Sequence, residues 1–144
     1  MSINLTQIKL RDLFDGYVNS DEDGVIGYHG RLDIRPKYQR EFIYGEKEQL
    51  AVIETVKKGF PLNTMYWAVA RDERGNKILD ADGNDTYELM DGQQRTISCC
   101  EFLNNHLVVN FQKFFNIQRS TPELAEQILD YELSVYICDG TVAD

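Results

Sequence analysis

A chain of 144 residues has the length of about one domain. Its composition, 42% hydrophobic and 27% charged, is that of a globular protein with a core of its own. Fifteen basic against twenty-four acidic residues give a net charge of -9, which argues against broad, unspecific nucleic-acid binding by this domain but leaves room for a local basic site. No apolar run approaches the ~20 residues of a membrane span. The start, Met1-Ser2-Ile3-Asn4-Leu5, lacks the charged and apolar regions of a secretory leader. Cys99, Cys100 and Cys138 form no Cys-x-x-Cys, and His29 and His106 are the two histidines, so neither zinc nor a disulfide framework is expected and a reducing cytoplasm fits.

In chain order, Leu5, Ile8, Leu10, Leu13 and Phe14 predict a helix over 4–17, stopped at Gly16. Residues 19–24 read as an acidic surface loop, and Val25 to Leu32 as an edge strand in which His29 is structural or solvated. Glu46 to Lys58 has a one-faced apolar pattern, two lysines in its last turn and Gly59 as its cap, a strong helix prediction. Met65 to Ala70 reads as a strand. Residues 71–86 read as a hairpin with turns at Gly75-Asn76 and at Asp82-Gly83-Asn84; the spacing of Asp80, Asp82, Asn84 and Asp85 does not match a calcium loop. Residues 107–111 suggest a short strand. Thr121-Pro122 opens a helix, and Leu133, Val135 and Ile137 alternate as a strand. No Lys or Arg follows Arg119, and the chain reads as the N-terminal piece of a longer protein.

Two stretches carry chemistry. The first is Asp91-Gly92-Gln93-Gln94-Arg95, between a strand-like run and a helix-like one. A glycine turn lets backbone approach a ligand, the first amides of a helix lack internal acceptors, and Arg95 adds a planar charged fork suited to phosphate oxygens. Asp91 needs its own reason in a cationic setting: holding Arg95, orienting a water, or meeting a nucleotide-bound metal. An ordinary strand-to-helix turn fits the spacing equally well. The second stretch places Arg31, Arg35, Lys37 and Arg40 within ten residues, interleaved with Tyr38, Phe42 and Tyr44. Read alone, it is either an anion site with stacking platforms or a solvated loop pinned by its aromatics. The adjacent Cys99 and Cys100 read as small core residues.

Taken together, the two stretches resemble a family called domain of unknown function 262, the N-terminal domain of GmrSD-type, modification-dependent restriction enzymes. The resemblance rests on Pro36, Tyr38-Gln39-Arg40 and Phe42, the helix to Lys58, Gly59-Phe60-Pro61, the strand to Ala70, and the full pentapeptide, and it covers about residues 4 to 138. Tyr44 stands where a tryptophan is commoner, and Pro36-Lys37 where a proline pair is usual. The resemblance implies an α+β domain like the ParB and sulfiredoxin fold, a mixed sheet with flanking helices, in which Gly92-Gln93-Gln94-Arg95 is the phosphate turn. Gln93 stands where sulfiredoxin has its cysteine, so reductase chemistry is not expected.

The implied function is nucleoside triphosphate binding and hydrolysis with Mg²⁺ in an antiphage restriction system. Asp91, Gln93, Gln94 and Arg95 would be catalytic. Tyr38, Gln39, Arg40 and Gly92 would join Gln93, Gln94 and Arg95 in holding the nucleotide. DNA would be engaged through the full-length protein, and a homodimer stays open. The alternative is a nucleotide- or DNA-sensing module without turnover that regulates a C-terminal nuclease. A nuclease in this chain is disfavoured, because two isolated histidines supply no nicking site.

Overall fold

The computed structural model describes residues 2–35 and 45–140. The elements in chain order are β1 (Ser2–Lys9), α1 (Leu10–Phe14), β2 (Val18–Ser20), β3 (Gly24–Gly27), β4 (Leu32–Arg35), α2 (Glu46–Lys58), β5 (Met65–Val69), β6 (Tyr87–Asp91), α3 (Gln93–Leu103), α4 (Phe114–Ser120), α5 (Pro122–Leu129) and β7 (Glu132–Asp139). The strands form one mixed sheet in the order β1-β7-β5-β6-β4-β3-β2. The β4–β6 and β5–β7 pairs are parallel and the others antiparallel. The domain is therefore α+β, as expected.

Burial alternates along the strands. Leu32 and Ile34 on β4, Met65 and Trp67 on β5, and Leu133 and Val135 on β7 are buried in a core shared with the helices. Their neighbours on the opposite face, among them Asp33, Tyr66, Glu88 and Tyr136, are partly or fully exposed. One face of the sheet is thus covered and the other open, the usual reason for a period-two pattern.

Helix α2 has the predicted bounds. It buries Val52, Ile53 and Val56, and it ends at Gly59, whose left-handed backbone (φ 73°) lets its N–H donate to Thr55 and Val56 carbonyls. The predicted turns in 71–86 are two copies of one device. Asp72 Oδ1 accepts from the Arg74 and Asn76 amides at 2.9 Å each, and Asp80 Oδ1 from those of Asp82 and Asn84 at 3.0 and 2.8 Å. These are Asx turns, each closed by a glycine with positive φ.

The N-terminal prediction is corrected. Residues 2–9 form a strand rather than the first half of a helix, and α1 is a single turn and a half. The strand pairs with β7 along its whole length, Ser2 opposite Asp139 through Lys9 opposite Glu132. Pairing across almost the entire chain is invisible to local periodicity. The buried Ile8, Leu10 and Leu13 that read as a helical stripe are divided between a period-two strand and a helical turn. Residues 25–32 are likewise not an edge strand. β3 lies between β2 and β4, and Tyr28 and His29 turn the chain in left-handed conformations (φ 52° and 60°). Residues 107–111 hold a tight turn bridged by Val109 and Gln112, with Asn110 and Phe111 at positive φ, in place of a strand. Helix α4 carries no strong sequence signal. At α5, Thr121 occupies the cap position as predicted, but its hydroxyl donates back to the Ile117 carbonyl.

On the open face, the β4–β6 pairing sets Asp33 directly opposite Glu88. Partial burial, and then the Glu88 charge, raise the Asp33 carboxyl above its ordinary range. A raised carboxyl pKa means that the folded state prefers the protonated form, so stability falls as pH rises from the ordinary carboxylate value through the folded one. Asp33→Asn should therefore raise the melting temperature at neutral pH, and the gain should vanish once the solution is acid enough to protonate Asp33. Thermal melts of the variant and parent across pH check both halves.

Candidate functional site

The pentapeptide lies where β6 runs into α3. Asp91 is the last residue of β6, opposite Tyr66 of β5, and is exposed. Gly92 is the helix cap, with φ 109° and ψ 15°, and its carbonyl receives the first helical hydrogen bond, from the Thr96 amide at 3.0 Å. This backbone conformation is costly for any residue with a Cβ. Space makes the same demand: a Cβ on Gly92 would lie 2.6 Å from Met65 Cγ and 2.8 Å from its Sδ. Met65 is fully buried, and its sulfur also accepts the Thr96 hydroxyl at 3.2 Å. The turn is therefore closed down onto Met65 through Gly92 and Thr96. Gly92 has no side chain to cap the helix, and the amides of the first turn have no acceptor within it.

Gln93 crosses from α3 to the neighbouring strand, its Nε2 donating to the Ile34 carbonyl of β4 at 2.9 Å. Ser98 Oγ donates to the Gln94 carbonyl at 2.8 Å. Because β4 and β6 are adjacent and parallel, their carboxyl ends lie side by side, ~4.8 Å apart. Gln93 bonds across that gap. In open sheets built on parallel strands, ligands collect outside the carboxyl ends.

Arg95 completes the first turn of α3. Among the described residues its Nε and Nη2, both buried, make no hydrogen bond, and it is in no ion pair. A guanidinium presents five N–H donors, and leaving three of them, one on Nε and two on Nη2, dry and unmatched is unfavourable. Cys99, one turn further along α3, is wholly buried. Burial pushes its thiol up to about 12, with Arg95 pulling slightly the other way. Burial likewise raises Cys100 well above an ordinary thiol. Both are core residues, as expected, and neither is a thiolate at neutral pH. In the native protein a thiol reagent such as Ellman's should titrate Cys138 alone, and all three cysteines after denaturation. Rapid reaction of a second thiol in the folded state would contradict this burial.

Of the other predicted site residues, Tyr38, Gln39 and Arg40 lie outside the described residues. Arg35 ends β4 and Gly45 precedes α2. Arg31 is committed elsewhere. Its Nε donates to the Asp85 carbonyl at 2.8 Å, and its guanidinium lies over the rings of Tyr28 and Tyr87 at 5.2 and 5.5 Å. His29 makes a surface contact with Asp15 at 2.8 Å. Among the described residues, no three His, Cys, Asp or Glu side chains stand close enough to hold a metal ion, and no helix is long and apolar enough to cross a membrane. Sequence reasoning missed Met65, the floor of the turn. Nothing in its own stretch marks it, since the contact comes from a strand 27 residues before the glycine.

These features define a class: an α+β domain with a glycine-capped strand-to-helix turn at the carboxyl ends of two parallel strands. The family description "GmrSD restriction endonuclease, N-terminal domain" matches residues 10–140, nearly the whole chain, and the chain belongs to that family. Membership makes it a restriction-related, defence-type chain. Neither a curated protein nor a solved structure matches it.

Proposed function

We propose that this domain binds a nucleoside triphosphate at Asp91–Arg95 and hydrolyses it in the service of a restriction system. The observation that carries the reading is Arg95: two buried guanidinium nitrogens without a hydrogen-bond partner among the described residues, in the first turn of a helix whose cap is a glycine. A phosphate group matches both features, offering oxygens to the guanidinium and to the first-turn amides. Gly92 supplies the left-handed cap from which the helix starts. Gln93, anchored to β4, and Gln94 orient the water or the terminal phosphoryl group. Asp91, exposed at the strand end, serves as base or as a ligand of the nucleotide's Mg²⁺. A single carboxylate fits an ion that phosphate oxygens mainly hold, which is how Mg²⁺ commonly sits in nucleotide sites. The ion would supply charge neutralisation on the phosphoryl group. Tyr38, Gln39 and Arg40 are assigned to the same ligand through the family resemblance, and DNA is engaged by the full-length protein.

Phosphate release by the chain with each nucleoside triphosphate and Mg²⁺ tests the assignment. Turnover that is lost in folded Asp91→Ala and Arg95→Ala variants supports it, and unchanged turnover in either variant removes that residue from the mechanism. Binding without phosphate release would favour a sensing module that regulates a separate nuclease.

A further inference from the structure

We infer that the cleft on the open face of the sheet, bounded by β3, β4, β6 and the hairpin at 71–86, is a second ligand site that takes an organic cation, an ammonium or guanidinium group on an apolar stem. The cleft has a volume of about 460 Å³, which is in the range of small-molecule sites. Strand register builds its floor. Ile26 of β3 lies opposite Asp33 of β4, and Asp33 opposite Glu88 of β6, so one apolar and two acidic side chains stand in a row across the sheet. Ile78 and Thr86 line it from the hairpin, and Asp23 adds a third carboxylate to the lining. The walls are fixed by backbone bonds. The Ala70 amide donates to the Thr86 carbonyl at 2.9 Å, the Ile78 amide to the Ala70 carbonyl at 3.0 Å, and the Tyr87 amide to the Arg31 carbonyl at 2.7 Å. A ligand therefore meets a formed cleft and does not have to order one.

The facing carboxylates are unmet. Among the described residues, neither Asp33 nor Glu88 has a side-chain hydrogen bond or an ion pair. The cations at hand are committed elsewhere. Arg31 lines the cleft, but its Nε donates to the Asp85 carbonyl at 2.8 Å and its guanidinium lies over the rings of Tyr28 and Tyr87. Lys77 pairs with the Asp85 carboxylate at 3.4 Å. The upward shift of Asp33 comes from burial and then from Glu88, with no cation pulling the other way. A cation placed between two such carboxylates removes their repulsion and gains from both.

The rest of the lining narrows the class of ligand. An anion meets like charge. A hard metal ion needs six or more oxygens, whereas much of this lining is Ile26, Leu32, Ala70 and Ile78. Those side chains suit the stem of an amine or a guanidine, which packs on apolar surface while its head is held by carboxylates. Ile78, 45% exposed, offers that surface. The free protein carries the cost of the facing pair, and the ligand relieves it.

Titration of the 144-residue chain with agmatine at physiological salt, followed by backbone amide chemical shifts, tests this. Agmatine carries a guanidinium and an ammonium on a butyl stem, and butanol is the neutral control. The expected result is saturable binding at or below ~1 mM, with shifts centred on Asp33, Ile78 and Glu88 and no response to butanol. Asp33→Asn and Glu88→Gln should each weaken it at least tenfold while melting at or above the parent's temperature. An acetylated and amidated Gly-Arg-Gly peptide separates two sources of the same group. Tighter binding than agmatine's assigns the cleft to a side chain of a partner protein, and weaker binding assigns it to a free amine. No saturable shift with either ligand would overturn the inference. So would shifts spread over acidic surface away from the cleft, or binding that both variants retain, since either reduces the effect to the net charge of -9. Butanol binding as tightly as agmatine would overturn it as well, leaving the cleft merely apolar. None of these outcomes bears on nucleotide binding at Asp91–Arg95, so the two proposals stand or fall separately.

Discussion

Gly92→Val should lower the stability of the domain by about 2–5 kcal/mol, the sum of ~1–2 for a β-carbon in left-handed backbone and ~1–3 for overpacking a full core. For a chain of this length that is a fall of roughly 7–16 °C in melting temperature. The overpacking part has a named target. The new Cβ would lie within 2.6 Å of Met65 Cγ, and Met65 has no exposed direction in which to move. Gly92→Ala should show most of the effect. In a Gly92→Ala background, Met65→Ala should cost less than it does alone, because the shortened side chain vacates the volume that the alanine needs. Additive losses would mean that backbone strain alone penalises the substitution. A Gly92→Val variant that melts like the parent would mean that the turn does not close onto Met65.

Arg95→Met should have the opposite signature. Methionine keeps an unbranched stem of similar length and removes the two buried nitrogens that meet no acceptor among the described residues. Relieving unsatisfied buried polar groups is worth about 1–3 kcal/mol, so the variant should melt at or above the parent's temperature. Phosphate affinity should fall by about 10- to 150-fold, the equivalent of a charge-assisted contact worth ~1.5–3 kcal/mol. A residue that stabilises the ligated protein while costing the free protein stability is expected at a binding site and is hard to explain in a turn that is merely structural. A fall of several degrees without ligand would instead show that Arg95 serves the fold.

Much of this was legible in the sequence, and the reasons are local. Helix α2 announces itself through one apolar face, lysines in the last turn and a glycine cap, all within fourteen residues. The two Asx turns follow from Asp and Gly at fixed offsets. The strand, glycine and helix around Gly92 follow from a change of period at one residue. What was not legible depends on partners distant in sequence. β1 is a strand because β7 pairs with it, and Ser134 Oγ reaches back to Gln7 Oε1. Ile8 and Leu10 alone fit a helix as well as a strand. The same holds at the site. The spacing supplied Gly92 and Arg95, but neither Met65 beneath the turn nor the Gln93 bond to Ile34 could be read, because each joins elements that meet only in the folded sheet. The facing pair Asp33 and Glu88 also exists only through parallel pairing of strands separated by a helix and a further strand.

The central claim, that nucleotide phosphate binds at the glycine turn and is held by Arg95, is tested most directly by isothermal titration of the chain with GTP, CTP, ATP and UTP in the presence of Mg²⁺, beside Arg95→Met. The account predicts micromolar binding of at least one nucleotide and its loss in a variant that remains folded. Equal binding by the variant, or no heat from any nucleotide, would contradict it.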